Sequence, residues 1–163
     1  MFAQGKIIEK QFAEHLKDVK WATREQDMFE HWDMEGKLEK ETYKFDVKDM
    51  KKFNRSDDKV QDEMALVELK NVRGNDGWMH GKADLVVFKR IDYFLATKRS
   101  SLLEWVEKNK GQPESWSFVK KPYAIYDRKK FGKQDEFCWV PFEDIEKNVV
   151  CIKITHKKIR LEK

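Results

Sequence analysis

The chain has 163 residues, the length of one domain with a sizeable core. Apolar residues make up 40%, with 6 Trp and 11 Phe, which excludes a disordered chain although 39% of residues are charged. The apolar runs are too short to span a bilayer, and the net charge of +4 is uneven: residues 120–163 hold 12 Lys+Arg against 7 Asp+Glu, and the rest 22 against 23. Such a distribution suits a protein that grips phosphates with one region and a metal with another.

Residues 2–18 read as an amphipathic helix, with Ile8, Phe12 and Leu16 in one stripe, Ile7 and Val19 widening it, and Glu9 beside it. The opening stretch lacks the apolar core of a signal peptide, so a cytoplasmic, intracellular protein with no membrane partner is expected. Strands follow at Val19 to Thr23 and Met28 to Met34, then a turn near Glu35-Gly36-Lys37 and a strand from Thr42 to Lys48. Asn54 to Asp62 is a polar loop. Strands at Met64 to Val72, Ala83 to Phe88 and Tyr93 to Thr97 precede a helix capped by Ser100 or Ser101 and running to Lys108.

Beyond Pro113, Pro122 to Tyr126 and Glu136 to Val140 form a basic hairpin whose tip holds Arg128, Lys129, Lys130 and Lys133. Pro141 opens a short helix from Phe142 to Lys147, and Val149 to Ile154 is the last strand. Neither Cys138 nor Cys151 has a CxxC partner or a histidine at zinc spacing, so both are read as buried free thiols. The pattern is that of a single α+β domain over residues 1–163.

Seven acid-x-Lys triplets occur in this charge-rich chain, so context must discriminate among them. Asp46-Val47-Lys48 has the best context, because it ends a strand in which alternation puts Asp46 and Lys48 on one face and Phe45 and Val47 on the other. Asp33, thirteen residues upstream, approaches Asp46 to ~5 Å if the two lie opposite on paired strands. Two carboxylates that close repel, and a divalent cation between them turns the repulsion into binding. Glu68-Leu69-Lys70 with Asp57 or Asp58 is the competing register. Asp84 is read as a residue holding the sheet edge or the turn at Gly81.

The order of these residues resembles that of the PD-(D/E)XK nuclease superfamily. Gly5-Lys-Ile-Ile-Glu9 corresponds to its helix acid, Trp32-Asp33 to the second-strand acid, with Trp where proline is common, and Phe45-Asp46-Val47-Lys48 to the third-strand motif. Layout and spacing are similar to small Holliday junction resolvases of archaea and their viral relatives, and residues 126–145 resemble the closing strands of such enzymes. The resemblance implies a restriction-endonuclease-like core (helix, three antiparallel strands, helix, strand) with added C-terminal strands. It implies Mg²⁺ or Mn²⁺ held by Asp33, Asp46 and the Val47 carbonyl, with Glu9 contributing directly or through water and Glu14 its rival. Lys48 would position the attacking water and stabilise charge on the phosphate.

The activity so implied is metal-dependent endonucleolytic hydrolysis of DNA, branched DNA included, in recombination or repair, by a homodimer because paired incisions need two sites. Arg128, Lys129, Lys130 and Lys133 are the expected phosphate contacts, since a hairpin tip buries nothing. Trp116, Phe118, Tyr123 and Tyr126, interleaved with Lys120 and Lys121, are base-stacking candidates whose better reading is core packing. The alternatives are a non-catalytic nucleic-acid-binding protein that keeps the fold, and a protein-interaction module with a solvated lysine-rich face.

Overall fold

The computed structural model describes residues 3–71, 73–115 and 117–156, with side chains from Ile7 onward; Phe2, Val72 and Trp116, which the sequence reading drew on, lie outside the described residues. The molecule is mixed α and β. Helix α1 (Ala3–Ala13) leads into three antiparallel strands, β1 (Lys17–Trp21), β2 (Met34–Leu38) and β3 (Glu41–Lys48). The chain then forms β4 (Met64–Lys70), β5 (Leu85–Lys89), β6 (Tyr93–Lys98), α2 (Arg99–Asn109), β7 (Ile125–Asp127), β8 (Glu136–Pro141), α3 (Phe142–Asn148) and β9 (Cys151–Thr155). Among the described residues no helix is long and apolar enough to cross a membrane.

Two sheets result. Six strands run in the order β1-β2-β3-β5-β6-β9, and three in the order β4-β8-β7. Among the described residues all strand pairings within the two sheets are antiparallel except β3 with β5, which is parallel. The expected helix between the third strand and its parallel neighbour is absent from that position. The crossover from β3 to β5 is made by β4 and a 3-10 turn at Trp78–His80, and the second helix comes only after β6.

Strand alternation sorts the larger sheet into two faces. Phe45 and Val47 of β3, Val87 of β5, and Phe94 and Ala96 of β6 pack with Ile8, Phe12 and Leu16 from the α1 side. Val86, Phe88 and Leu95 point the opposite way, into a core shared with Ala65, Val67 and Leu69 of β4, Cys138 and Val140 of β8, and Leu102 and Val106 of α2. Asp46 and Lys48 occupy the face opposite Phe45 and Val47, in register with Val86 and Phe88. They therefore point into the space between the two sheets.

Several boundaries differ from the sequence reading. Helix α1 ends at Ala13, and the three residues after it turn the chain into β1. Residues Gln26–Glu30 form a π-helical turn rather than a strand, so β2 starts only at Met34. The hairpin turn falls at Glu39 and Lys40, with Glu39 at φ 58°, while Gly36 sits within β2. The reason is steric: a Cβ on Gly36 would lie 2.9 Å from Leu16 Cδ1, so the missing side chain gives Leu16 its seat on the sheet instead of making a turn. Helix α2 starts at Arg99 without a side-chain cap, and the Ser101 hydroxyl accepts instead from the Val150 N–H at 3.0 Å. Both thiols are free, Cys138 buried and Cys151 half-buried, and burial pushes the Cys138 thiol up to about 12.

Candidate active site

Asp33 is fixed before its carboxylate does anything. Its N–H donates to the Phe45 carbonyl at 2.7 Å and its own carbonyl accepts from Ala22 N–H at 2.9 Å, so the residue is pinned between β1 and β3. Its Oδ2 then accepts the Val47 N–H at 2.7 Å. The carboxylate thus takes over the ladder position that β2 has vacated. Strand alternation turns the Val47 carbonyl toward the same side as its N–H, so the carbonyl opens onto the space that Asp33 occupies.

Asp46 is 4% exposed. Lys48 Nζ stands 3.2 Å from its Oδ2, close enough for an ion pair but without hydrogen-bond alignment, and that buried oxygen has no other partner. Burial, above all, raises the pKa of Asp46, against the lowering pull of Lys48. Burial also raises that of Asp33, and the charge of Asp46 adds to it while the Val47 N–H opposes. Asp33 and Asp46 therefore bear on each other's ionisation. This is the electrostatic state of two acids sharing a site without a counter-charge large enough for both.

The charge of Glu9, on α1, adds to the raising of the Asp33 pKa, and Glu14 is exposed just beyond the end of that helix. Among the described residues no three His, Cys, Asp or Glu side chains gather into a metal-holding group. The donors in hand are therefore the Asp33 and Asp46 carboxylates and the Val47 carbonyl, with Glu9 further out. Hard oxygen donors with one buried, unpartnered carboxylate oxygen are a set that fits Mg²⁺ or Mn²⁺.

Lys48 is oriented from two directions. Asp46 lies on one side, and the ring of Trp78 lies 4.7 Å from its ammonium on the other. Trp78 comes from the turn after β4, where Gly77 allows close contact: a Cβ there would sit 2.5 Å from the Glu68 carbonyl oxygen. Glu68 itself faces the charges of Lys48 and His31, and burial raises its pKa against them. Lys48, Glu68, Trp78 and Phe137 line a cleft of about 280 Å³ between the sheets. Trp78 and His31 were missed by the sequence reading, and Glu68 was read as the acid of the competing register rather than as a neighbour of Lys48. Trp78 and Glu68 reach Lys48 through the packing of the second sheet, which no local pattern announces.

The competing register does not assemble. Lys70 is ion-paired with Glu136 at 3.6 Å, and Asp57 accepts from Asn54 N–H at 3.0 Å within its own loop. Asp84 ties β5 to β3, its Oδ2 accepting from Lys44 N–H at 2.8 Å. Of the hairpin-tip residues, Lys129, Lys130 and Lys133 are exposed, whereas Arg128 is committed to the buried Asp135, with Nε 2.9 Å from Oδ2. Tyr126 is buried, Tyr123 is half-buried and hydrogen-bonded to Trp105 and Asp144, and Phe118 is exposed. Comparison with family models, with curated proteins and with solved structures finds no match for the chain.

Proposed function

We propose that the chain is a divalent-metal-dependent DNA endonuclease of the PD-(D/E)XK type, with a restriction-endonuclease-like core in which β4 and a 3-10 turn stand in place of the connecting helix, working in the cytoplasm and as a homodimer on branched DNA. One observation supports the reading: the residues that the family resemblance picks out act on one another, the Asp33 carboxylate taking the Val47 N–H and Asp46 lying 3.2 Å from Lys48. One oxygen of the buried Asp46 carboxylate has Lys48 as its charge partner and no aligned hydrogen bond.

Asp33, Asp46 and the Val47 carbonyl would hold Mg²⁺ or Mn²⁺, with Glu9 contributing through water, and the bound ion supplies Lewis acidity toward the phosphoryl oxygen and a more acidic water. Hydrolysis would add one water across a P–O bond: the water oxygen bonds to phosphorus, the bridging oxygen leaves, and a proton from the water ends on the departing oxygen. Lys48 donates hydrogen bonds to the attacking water and to a non-bridging oxygen as negative charge builds there. Trp78 and Asp46 hold its ammonium, so that little reorientation is needed when the phosphate arrives.

The test is Asp46→Asn, assayed with a panel of branched, single-stranded and duplex DNA in Mg²⁺ or in EDTA. Cleavage is expected to fall to the EDTA background while DNA affinity at moderate salt is retained. Full activity in the variant would sink the proposal. A wild-type protein that binds DNA but takes up neither Mg²⁺ nor Mn²⁺ is a non-catalytic binder.

A further inference from the structure

The tip of the β7–β8 hairpin carries an aromatic ring where burial gives no account of it. Phe131 is 67% exposed. Its position is nevertheless tightly built: Phe131 N–H donates to the Arg128 carbonyl at 2.8 Å, Gly132 N–H to Lys129 at 3.0 Å, and Lys129 N–H to Asp127 Oδ1 at 3.0 Å. Gly132 closes the turn at φ 75°. The base is anchored by the ion pair of Arg128 with the buried Asp135. A turn this ordered holds the ring out on a segment whose Lys129, Lys130 and Lys133 are all exposed.

The base of the tip also stands beside a residue of the cleft. The Arg128 guanidinium lies 5.5 Å from the ring centroid of Phe137, and Phe137 lines the same cleft as Lys48 and Glu68. A ring flanked by cations has a natural complement in a nucleotide, which offers a π-face and a phosphate together. In an intact duplex the base faces are stacked on one another and unavailable. An exposed ring therefore gains contact only where a base is unpaired.

We infer that Phe131 stacks on an unpaired base, with Lys129, Lys130 and Lys133 on the adjoining phosphates, so that the substrate class is nucleic acid with a single-stranded element next to the scissile duplex. The inference rests on the nuclease reading and names its substrate. It is tested by fluorescence anisotropy in EDTA, using a fluorescein-labelled DNA duplex and the same duplex interrupted by a short single-stranded gap. Wild type is expected to prefer the gapped substrate. Phe131→Ala should lose that preference, weakening gapped binding about tenfold, the size of one base–aromatic stack, with duplex binding unchanged. Phe131→Trp should keep the preference. Equal loss on both substrates, or none on either, would overturn the inference. So would a Phe131-dependent affinity for anionic phospholipid vesicles without any preference for gapped DNA. A parallel Mg²⁺ cleavage assay separates the two readings: intact preference without cleavage supports the stacking role and removes the nuclease.

Discussion

Asp33 carries two roles that can be pulled apart. Its backbone closes the junction between β1 and β3, and its carboxylate both caps Val47 and faces Asp46. Asparagine keeps the oxygen that accepts the Val47 N–H and removes the charge. An acid whose folded-state pKa is raised holds its proton more tightly when folded, so the fold is at full strength below the ordinary carboxylate range. It weakens as pH rises through the raised value. Asp33→Asn is therefore expected to stabilise the metal-free protein at neutral and higher pH, by on the order of 1 kcal/mol. Thermal unfolding in EDTA from about pH 4 to about pH 9 checks this: the variant's advantage should grow with pH and close toward the acid end. Parallel curves would mean that no ionisation cost is stored there. A residue kept at a cost to the fold is a mark of a functional site.

At the scale of elements, what could be read from the chain was the local part of the site. Alternation along β3 put Phe45 and Val47 on one face and Asp46 with Lys48 on the other, and the structure agrees, with α1 packed on the first. The hairpin partner of β3 was misplaced: Met28 to Met34 was read as its strand and Gly36 as its turn, whereas the partner is Met34–Leu38, because Gly36 serves Leu16 and not the turn. The second sheet was not legible. Met64 to Lys70 announces a strand, but nothing local says that it pairs with Glu136 to Pro141, more than sixty residues on, rather than with β3. Trp78 follows from that pairing and so was invisible, and Glu68 was read into a competing site instead of beside Lys48. Gly77 is the joint that brings Trp78 over Lys48, and any side chain there meets the Glu68 backbone. Gly77→Ala is expected to cost about 1–3 kcal/mol, as overpacking does, and to lower activity further by shifting Trp78 away from Lys48. Urea unfolding gives the first figure, and cleavage measured where the variant is fully folded gives the second.

Across the whole molecule, the acids and the exposed bases are kept apart by the fold. Asp46 is drawn in between the two sheets, while the lysines of the β7–β8 tip are exposed. The two carboxylates by themselves repel a phosphate backbone, so affinity must come from lysines elsewhere: Lys51 and Lys89 line the cleft beside Lys48, and the tip offers three more. Arg128 is spent on Asp135, which leaves three lysines for phosphates. Each phosphate neutralised on duplex DNA steepens the dependence of log K on log salt by about 0.9. Replacing Lys129, Lys130 and Lys133 together by alanine should flatten that slope by up to about 3 and weaken binding uniformly across DNA sequences. The fold should be unaffected, because none of the three is buried. Affinity titrations at several salt concentrations in EDTA measure the slope directly. An unchanged slope would move the phosphate grip away from the hairpin, whereas a loss that follows base sequence would mean that the tip reads bases rather than backbone.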